Sequence, residues 1–138
     1  MAGSCSAREG SIGILTSVVL LIAGISWAAA EGLDADKIAA AAGAKAATAP
    51  DGVVRVVWPR TEVAVSVDGV ALKPFAGLTS WAAFQAAPGG AMLMGDTVVF
   101  QDEVDAAMDA AFAAGLEITA LHNHFFYDEP KVYFMHVG

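Results

Sequence analysis

An uncharged apolar segment near the N-terminus limits how much of this chain can form a water-soluble domain. Residues 11–27 consist mainly of Ile, Leu, Val and small residues, with Arg8 before them and Ala28-Ala29-Ala30 after them. That layout is typical of a cleaved secretory signal peptide. A retained membrane anchor is the alternative, although the run is slightly shorter than the about 20 apolar residues of a span. We predict a signal peptide over 1–30 and an extracytoplasmic location, periplasmic or secreted, after cleavage near Ala30.

Removal of residues 1–30 also limits the chemistry that the remaining domain can perform. Cys5 is the one cysteine of the chain, so residues 31–138 have no disulfide and no thiolate ligand or nucleophile. Their net charge stays at −8, because Arg8 and Glu9 are removed together. An acidic domain without a basic cluster is not expected to bind nucleic acid. We expect no integral membrane span after cleavage, and an envelope component or a small ligand as the partner.

Residues 31–52 predict an Ala-rich helix and a linker ahead of the main domain. Asp34 suits the N-cap of this helix, and Gly43 suits the position after its last turn. The helix has few large apolar side chains, so we expect it to be peripheral. Residues 44–51 are interpreted as the linker, and the domain proper spans 53–138.

The sequence pattern of residues 53–138 predicts an α+β fold with a small antiparallel or mixed sheet. Its clearest local signal is Asp68-Gly69 between the alternating run 62–67 and residues 70–73, because a type I′ hairpin turn needs positive φ at both central positions. Further strands are predicted at 53–58, 91–94, 97–100, 116–124 and 131–137, a helix at 102–114, and either a strand or a short helix at 78–85, with a break at Gly95-Asp96.

The C-terminal part of this pattern is a strand-helix-strand-strand unit that begins with the strand at 97–100. One more helix would complete a split βαβ arrangement of the ferredoxin-like kind. The chain instead stops at Gly138, directly after a strand that would need covering. We therefore expect the domain to be truncated after its last strand, with its C-terminal end missing.

The candidate site is the pair His122 and His124. If 116–124 is a strand, both imidazoles project from one face, roughly 6–7 Å apart at Cα. Two neutral imidazoles at that spacing can bind one divalent metal ion, and Zn²⁺ or Cu²⁺ is the expected cofactor. A purely structural role in hydrogen bonding is the competing interpretation. A metal-free general acid or base is the third, because histidine titrates near neutral pH.

His136 is the third histidine of the chain and the obvious third ligand. Strand geometry argues against it. If residue 124 pairs with 131, His136 lies opposite 119, faces the other way and sits more than about 10 Å along the strand. A register shift of one residue restores the face but not the distance. His136 is therefore the weaker candidate unless a bulge or another topology brings it close.

Acidic side chains offer better-placed ligands in this picture. Asp128 and Glu129 lie in the loop between the last two strands, and Asp96 or Glu62 lie on neighbouring elements. No serine occupies a nucleophile-elbow motif, so Ser-His-Asp catalysis has no support. Arg60 is interpreted as the partner of Glu62 on the surface rather than as an anion site.

Several segments between residues 53 and 138 form an ordered set that is more specific than any single motif. They are Trp58-Pro59-Arg60-Thr61, Val65-Ser66-Val67-Asp68-Gly69-Val70, Ser80-Trp81-Ala82-Ala83-Phe84, Met94-Gly95-Asp96, Asp102-Glu103-Val104, Thr119-Ala120-Leu121-His122-Asn123-His124-Phe125, Glu129-Pro130 and Met135-His136-Val137-Gly138. Together they resemble the LppY/LpqO lipoprotein-like family, a group of exported bacterial proteins built around a domain of unknown function.

The resemblance implies export and a small α+β domain, and it implies no particular activity. Family members continue beyond the equivalent of His136 with a Gly-His-Gly segment and a helix. A family site that uses this later histidine would therefore lack one ligand here. Some members are lipoproteins, whereas Cys5 precedes the apolar segment instead of following it.

Three functions stay open from the residues alone. The first is an exported protein that binds a metal or a small ligand through His122 and His124. The second is an envelope hydrolase that uses a metal-bound water, which requires an open coordination position and a nearby carboxylate base. The third is a non-catalytic structural or interaction module of the cell envelope. The position of a third ligand relative to the two histidines distinguishes among them.

Overall fold

A six-stranded antiparallel sheet forms the centre of residues 32–138, the part of the chain that the computed structural model describes. The predicted signal peptide over 1–30 lies outside the described residues. The strands are β1 Ala46–Thr48, β2 Val54–Pro59, β3 Ser66–Val67, β4 Val70–Ala71, β5 Thr79–Ala87, β6 Gly90–Phe100, β7 Ile118–His122, β8 Asp128–Glu129 and β9 Val132–Val137. The helices are α1 Ala35–Ala42 and α2 Val104–Ala113, with a 3-10 turn at Pro74–Ala76. Neither α1 nor α2 has the length and apolar character needed to cross a membrane.

The strand order of the main sheet is β1-β2-β5-β6-β9-β7, and a small second sheet has the order β4-β3-β8. Both β6 and β7 pair antiparallel with β9, so β6 and β7 run parallel to each other on either side of it. Because α2 connects β6 to β7, these elements form a split βαβ unit. The predicted α+β fold and its strand-helix-strand-strand unit are confirmed.

The N-terminal helix begins and ends where its capping residues predict. Asp34 Oδ1 accepts hydrogen bonds from the backbone N–H groups of Asp36 and Lys37, and Gly43 takes the left-handed conformation at φ 61°. No residue of α1 is buried, as expected for a peripheral helix. The linker prediction for 44–51 was wrong in part, because β1 lies within it and pairs with the otherwise open edge of β2.

The Asp-Gly hairpin is confirmed. Asp68 and Gly69 have φ values of 49° and 78°, and Val67 lies opposite Val70. The predicted strand over 62–67 is shorter, because only Ser66–Val67 pairs with neighbouring strands. Val65 is nevertheless 3% exposed, so the alternating pattern reports burial in the core more faithfully than it reports strand length.

Strands β5 and β6 form a long hairpin in the middle of the main sheet. The ambiguous segment 78–85 is a strand, and the break predicted at Gly95-Asp96 was wrong because β6 runs through it without interruption. A Cβ atom on Gly95 would lie 3.0 Å from Val137 Cγ2 and 3.2 Å from the Trp81 carbonyl oxygen. Glycine is present there because the neighbouring strands leave no room for a side chain, and not because the chain turns.

The two faces of the main sheet are covered differently. On one face Met135 and Val137 of β9 pack against Ala111 of α2. On the other, Val98 and Phe134 belong to a buried cluster that the small sheet and the preceding loops cover. Because side chains alternate along each strand, Asp96 of β6 and His136 of β9 lie on this second face, next to Val98 and Phe134.

Candidate functional site

His122 and His124 lie together at the C-terminal end of β7. His122 is the last residue of the strand and is half-buried, whereas His124 follows the strand and is exposed. Their Nε2 atoms are 3.1 Å apart and their ring centroids 5.0 Å apart. The structure therefore brings the two imidazoles to one face, as strand alternation predicts.

Phe134 forms the apolar floor of this pair. It lies opposite His122 in the register of β7 and β9, and it is 3% exposed. The ring of His124 stacks on Phe134 with the ring centroids 3.5 Å apart and the planes 12° apart. Stacking on a buried ring restricts the orientation of the exposed imidazole and so keeps its Nε2 directed towards His122.

His136 lies next to the pair, so the expectation that strand geometry would keep it away was wrong. Ala120 lies opposite His136, one register position from the predicted partner, and β7 is irregular between Ile118 and Ala120. This register turns His136 to the face of His122, two pairing positions along the strand. The ring centroids of His122 and His136 are 4.9 Å apart, edge to face. The ring of His122 therefore lies between the rings of His124 and His136.

Asp96 adds a carboxylate to the three histidines. It lies directly opposite His136 in the pairing of β6 with β9, and its Oδ2 is 3.7 Å from His136 Nε2. Its side chain is 16% exposed, and within the described residues its Oδ1 is buried without a hydrogen-bond partner. A buried carboxylate oxygen without a partner is unfavourable, because it has lost its hydration without compensation.

The other predicted carboxylates do not join this cluster. Asp128 and Glu129 form β8, which pairs with β3 in the small sheet. Asp128 Oδ1 lies 2.9 Å from Lys131 Nζ, and its Oδ2 accepts the Val132 N–H at 2.8 Å. Neither carboxylate forms an ion pair with an imidazole in residues 32–138. Their expected role as ligands therefore finds no support in where they lie.

Glu62 is likewise held elsewhere. Its carboxylate pairs with Arg60, whose guanidinium also binds Glu103 at 2.8 and 3.0 Å and the Val98 carbonyl at 3.0 Å. The hydrogen bonds with Glu103 raise the pKa of Arg60 and lower the pKa of Glu103. This network ties the loop after β2 to the start of α2, so Arg60 has a structural role, in line with the surface ion pair that the sequence predicts.

The environment favours a neutral imidazole at His124. Stacking on Phe134 partly buries the ring and lowers its pKa, and the neighbouring His122 and His136 lower it further, whereas Asp96 acts in the opposite direction. Only a deprotonated ring nitrogen can bind a metal ion or accept the hydrogen bond between the two Nε2 atoms.

The donor set of His122, His124, His136 and Asp96 is the type that Zn²⁺ and Cu²⁺ bind. Two nitrogen or oxygen donors, each about 2.0–2.2 Å from one ion, lie about 3–4 Å apart in common coordination geometries. The His122–His124 and His136–Asp96 pairs both meet that limit, at 3.1 and 3.7 Å. In residues 32–138, however, no three such side chains already stand in coordinating positions. The two pairs would have to approach by rotation of the His122 or His136 ring.

Replacement of Asp128 by asparagine should destabilise the domain at neutral pH. Burial raises the pKa of Asp128, but hydrogen bonds from Lys131 and the Val132 N–H outweigh burial and hold the pKa below its ordinary value. A carboxylate with such a lowered pKa stabilises the fold above its unfolded-state pKa of about 3.9, and this contribution is lost as the pH falls through the folded-state value. We expect Asp128→Asn to lower the free energy of unfolding by about 1–3 kcal/mol near pH 7.

Urea unfolding at a series of pH values measures this effect. The difference between wild type and Asp128→Asn should shrink between about pH 5 and the folded-state pKa, because only the wild type loses its charged partner there. Glu129→Gln is the matched control, since Glu129 is exposed, and it should leave the unfolding free energy nearly unchanged. An undiminished difference at acid pH would show that the Asp128 charge is not the stabilising feature.

The structure is an α+β domain whose antiparallel sheet carries three histidines and an aspartate on one face. A family model described as Domain of Unknown Function (DUF1259) matches residues 36–138, and the chain belongs to this family. The match begins within α1, so the domain of the family includes α1 and β1 as well as the main sheet. No curated protein and no solved structure matches the chain.

Sequence reasoning missed two residues close to this cluster. Phe134 could be identified only through the pairing of β7 with β9, which no local pattern gives. Arg55 lies between the buried residues Val54 and Val56 on β2, and its guanidinium stands 4.2 Å above the ring of Trp81. The position of Arg55 could have been predicted from the alternation of side chains along β2, which places it on the face opposite the two valines.

Proposed function

We propose that this protein binds one divalent metal ion, Zn²⁺ or Cu²⁺, through His122 and His124, with His136 and Asp96 completing the site. The observation that carries the proposal is the separation of 3.1 Å between the two Nε2 atoms. Two imidazole nitrogens on one tetrahedral Zn²⁺ lie about 3.3 Å apart, so this pair needs little movement to become bidentate.

The competing interpretation of the same distance is a hydrogen bond between the imidazoles. Such a bond satisfies His122 and His124, but it leaves the buried Asp96 Oδ1 without a partner. A cation bound by His136 and Asp96 would neutralise the charge of this mostly buried carboxylate. The exposed position of His124 gives an ion access from solvent. Metal binding therefore accounts for more of the cluster than a structural histidine pair does.

We also propose that the protein is exported and that it is related to the LppY/LpqO lipoprotein-like family. The layout of residues 1–30 supports export, and the ordered segments between residues 53 and 138 support the resemblance. An extracytoplasmic domain without cysteine would depend on histidine and carboxylate ligands for metal binding, which is the donor set proposed here.

Isothermal titration calorimetry tests this function. The purified protein is first freed of metal with a chelator and is then titrated with Zn²⁺ or with Cu²⁺. We expect one equivalent to bind near neutral pH and binding to weaken in acid, because protons compete with the metal ion for the imidazole nitrogens. Ca²⁺ serves as the control ion, because it prefers oxygen ligands and should bind far more weakly. Absence of saturable uptake of either transition metal would contradict the proposal and favour a structural role for the histidines.

A further inference from the structure

A cavity of about 320 Å³ opens directly beside the histidine cluster. Its walls come from β2, β5, β6, β9, the 3-10 turn and the loop after β7, and they include Arg55, Phe75, Trp81, Asp96, His124 and Phe134. This volume is at the small end of the range for small-molecule sites, which is about 300–1,000 Å³. The cavity shares Asp96 and His124 with the proposed metal site, so a molecule bound in it would lie next to the ion.

Arg55 supplies a cationic group to this cavity. Its side chain is exposed, and it forms no hydrogen bond or ion pair with any other residue in 32–138. Arg60, by contrast, is bound by two carboxylates. The ring of Trp81 lies under the Arg55 guanidinium at 4.2 Å and orients it while leaving its N–H groups free. An oriented guanidinium without a carboxylate partner is suited to binding an anion in two-point contact.

The local charge also favours an anion. The whole chain has a net charge of −8, which repels anions from most of the surface. Within the cavity, Arg55 contributes one positive charge and a bound divalent ion two, whereas Asp96 contributes one negative charge. The walls combine polar and apolar surface in similar amounts, and aromatic rings come from Phe75, Trp81 and Phe134. The Thr79 hydroxyl is already committed as a donor to the Pro74 carbonyl at 2.8 Å.

We propose that this cavity binds a small organic carboxylate with a flat apolar body. The carboxylate contacts Arg55 beside the metal ion, and the body lies against the aromatic walls. Inorganic phosphate fits less well, because its oxygens need several donors and the walls offer few besides Arg55. The inference rests on the proposed metal site, which supplies the larger part of the positive charge.

Phenylacetate is the probe that tests this inference, with the full chain loaded with Zn²⁺. Calorimetry and the tryptophan fluorescence of the protein report its binding, and benzyl alcohol and inorganic phosphate are the control ligands. We expect phenylacetate to bind more tightly than both controls. Arg55→Gln should weaken phenylacetate binding about 10-fold or more, corresponding to at least about 1.4 kcal/mol, without changing Zn²⁺ affinity. Lys73→Gln removes the same charge from an exposed lysine outside the cavity walls and should have no effect.

Zn²⁺ titration of the same samples separates the two proposals. Normal Zn²⁺ uptake with no phenylacetate binding, or with binding that Arg55→Gln does not change, overturns the carboxylate site and leaves the metal site intact. Equal affinity for phosphate and phenylacetate overturns the assignment of ligand class. Loss of Zn²⁺ uptake by the wild type overturns the proposed function, and the carboxylate site fails with it.

Discussion

Replacement of both His122 and His124 by alanine is expected to weaken Zn²⁺ binding by at least about 100-fold, because loss of even an outer partner of a metal ligand costs about 10–100-fold. The two Nε2 atoms stand 3.1 Å apart and form the most nearly complete half of the proposed site. His136 and Asp96 alone would retain a weak site at most. Calorimetric titration of the wild type and the double variant under the same buffer measures the change.

Glu129→Gln is the control for this comparison. Glu129 lies on β8, is exposed and forms no ion pair with an imidazole within 32–138, so its replacement should leave Zn²⁺ affinity unchanged. Urea unfolding of the metal-free double variant shows whether the fold survives. A folded double variant that still binds Zn²⁺ like the wild type contradicts the metal site. Unfolding of the metal-free double variant would instead favour a structural role for the histidines.

Phe134→Ala is expected to lower the free energy of unfolding by about 3–5 kcal/mol, the usual range for a buried phenylalanine. Phe134 is 3% exposed, lies in the cluster with Val98 and Val132, and supports the ring of His124. Its removal leaves a cavity in the core and removes the surface that orients the histidine. Urea unfolding of the metal-free protein, with the slope of the transition checked for constancy, measures the loss.

Phe126→Ala is the matched control, since Phe126 is 82% exposed and its removal should change the unfolding free energy by less than about 0.5 kcal/mol. Phe134→Leu keeps most of the core volume and should cost less than about 1.5 kcal/mol. It still removes the stacked ring beneath His124, so we expect it to weaken Zn²⁺ binding. A loss in Phe134→Ala no larger than in Phe126→Ala would contradict the position of Phe134 in the core.

The sequence predicted the Asp68-Gly69 turn and the two helices correctly, because neighbouring residues determine these elements. The Asp68-Gly69 turn needs only two residues that accept positive φ, and both have it. The helix α2 lies within the segment 102–114 that was predicted to be helical, and α1 was predicted from its caps at Asp34 and Gly43. Gly95 shows the limit of such reasoning, because its surroundings come from β5 and β9 and no local pattern reveals them.

The candidate site was predicted in part. His122 and His124 share a face because residues two apart on an extended chain do so. The place of His136 depends on the register between β7 and β9, and the segment between these strands contains β8, which pairs with β3 far away in sequence. Long-range pairing therefore decides the register. The pairing of β8 with β3 removes Asp128 and Glu129 from the site, and the pairing of β6 with β9 brings Asp96 into it.

The most direct test of the central proposal is the location of the ion itself. Crystals of the full chain grown with Zn²⁺, with diffraction data collected on both sides of the zinc absorption edge, give the position of the metal from its anomalous signal. The proposed site predicts one strong peak about 2.0–2.2 Å from Nε2 of His122 and of His124, with His136 and Asp96 completing the coordination. A peak bound by other residues such as Asp128, or no peak in crystals that diffract well, would contradict it.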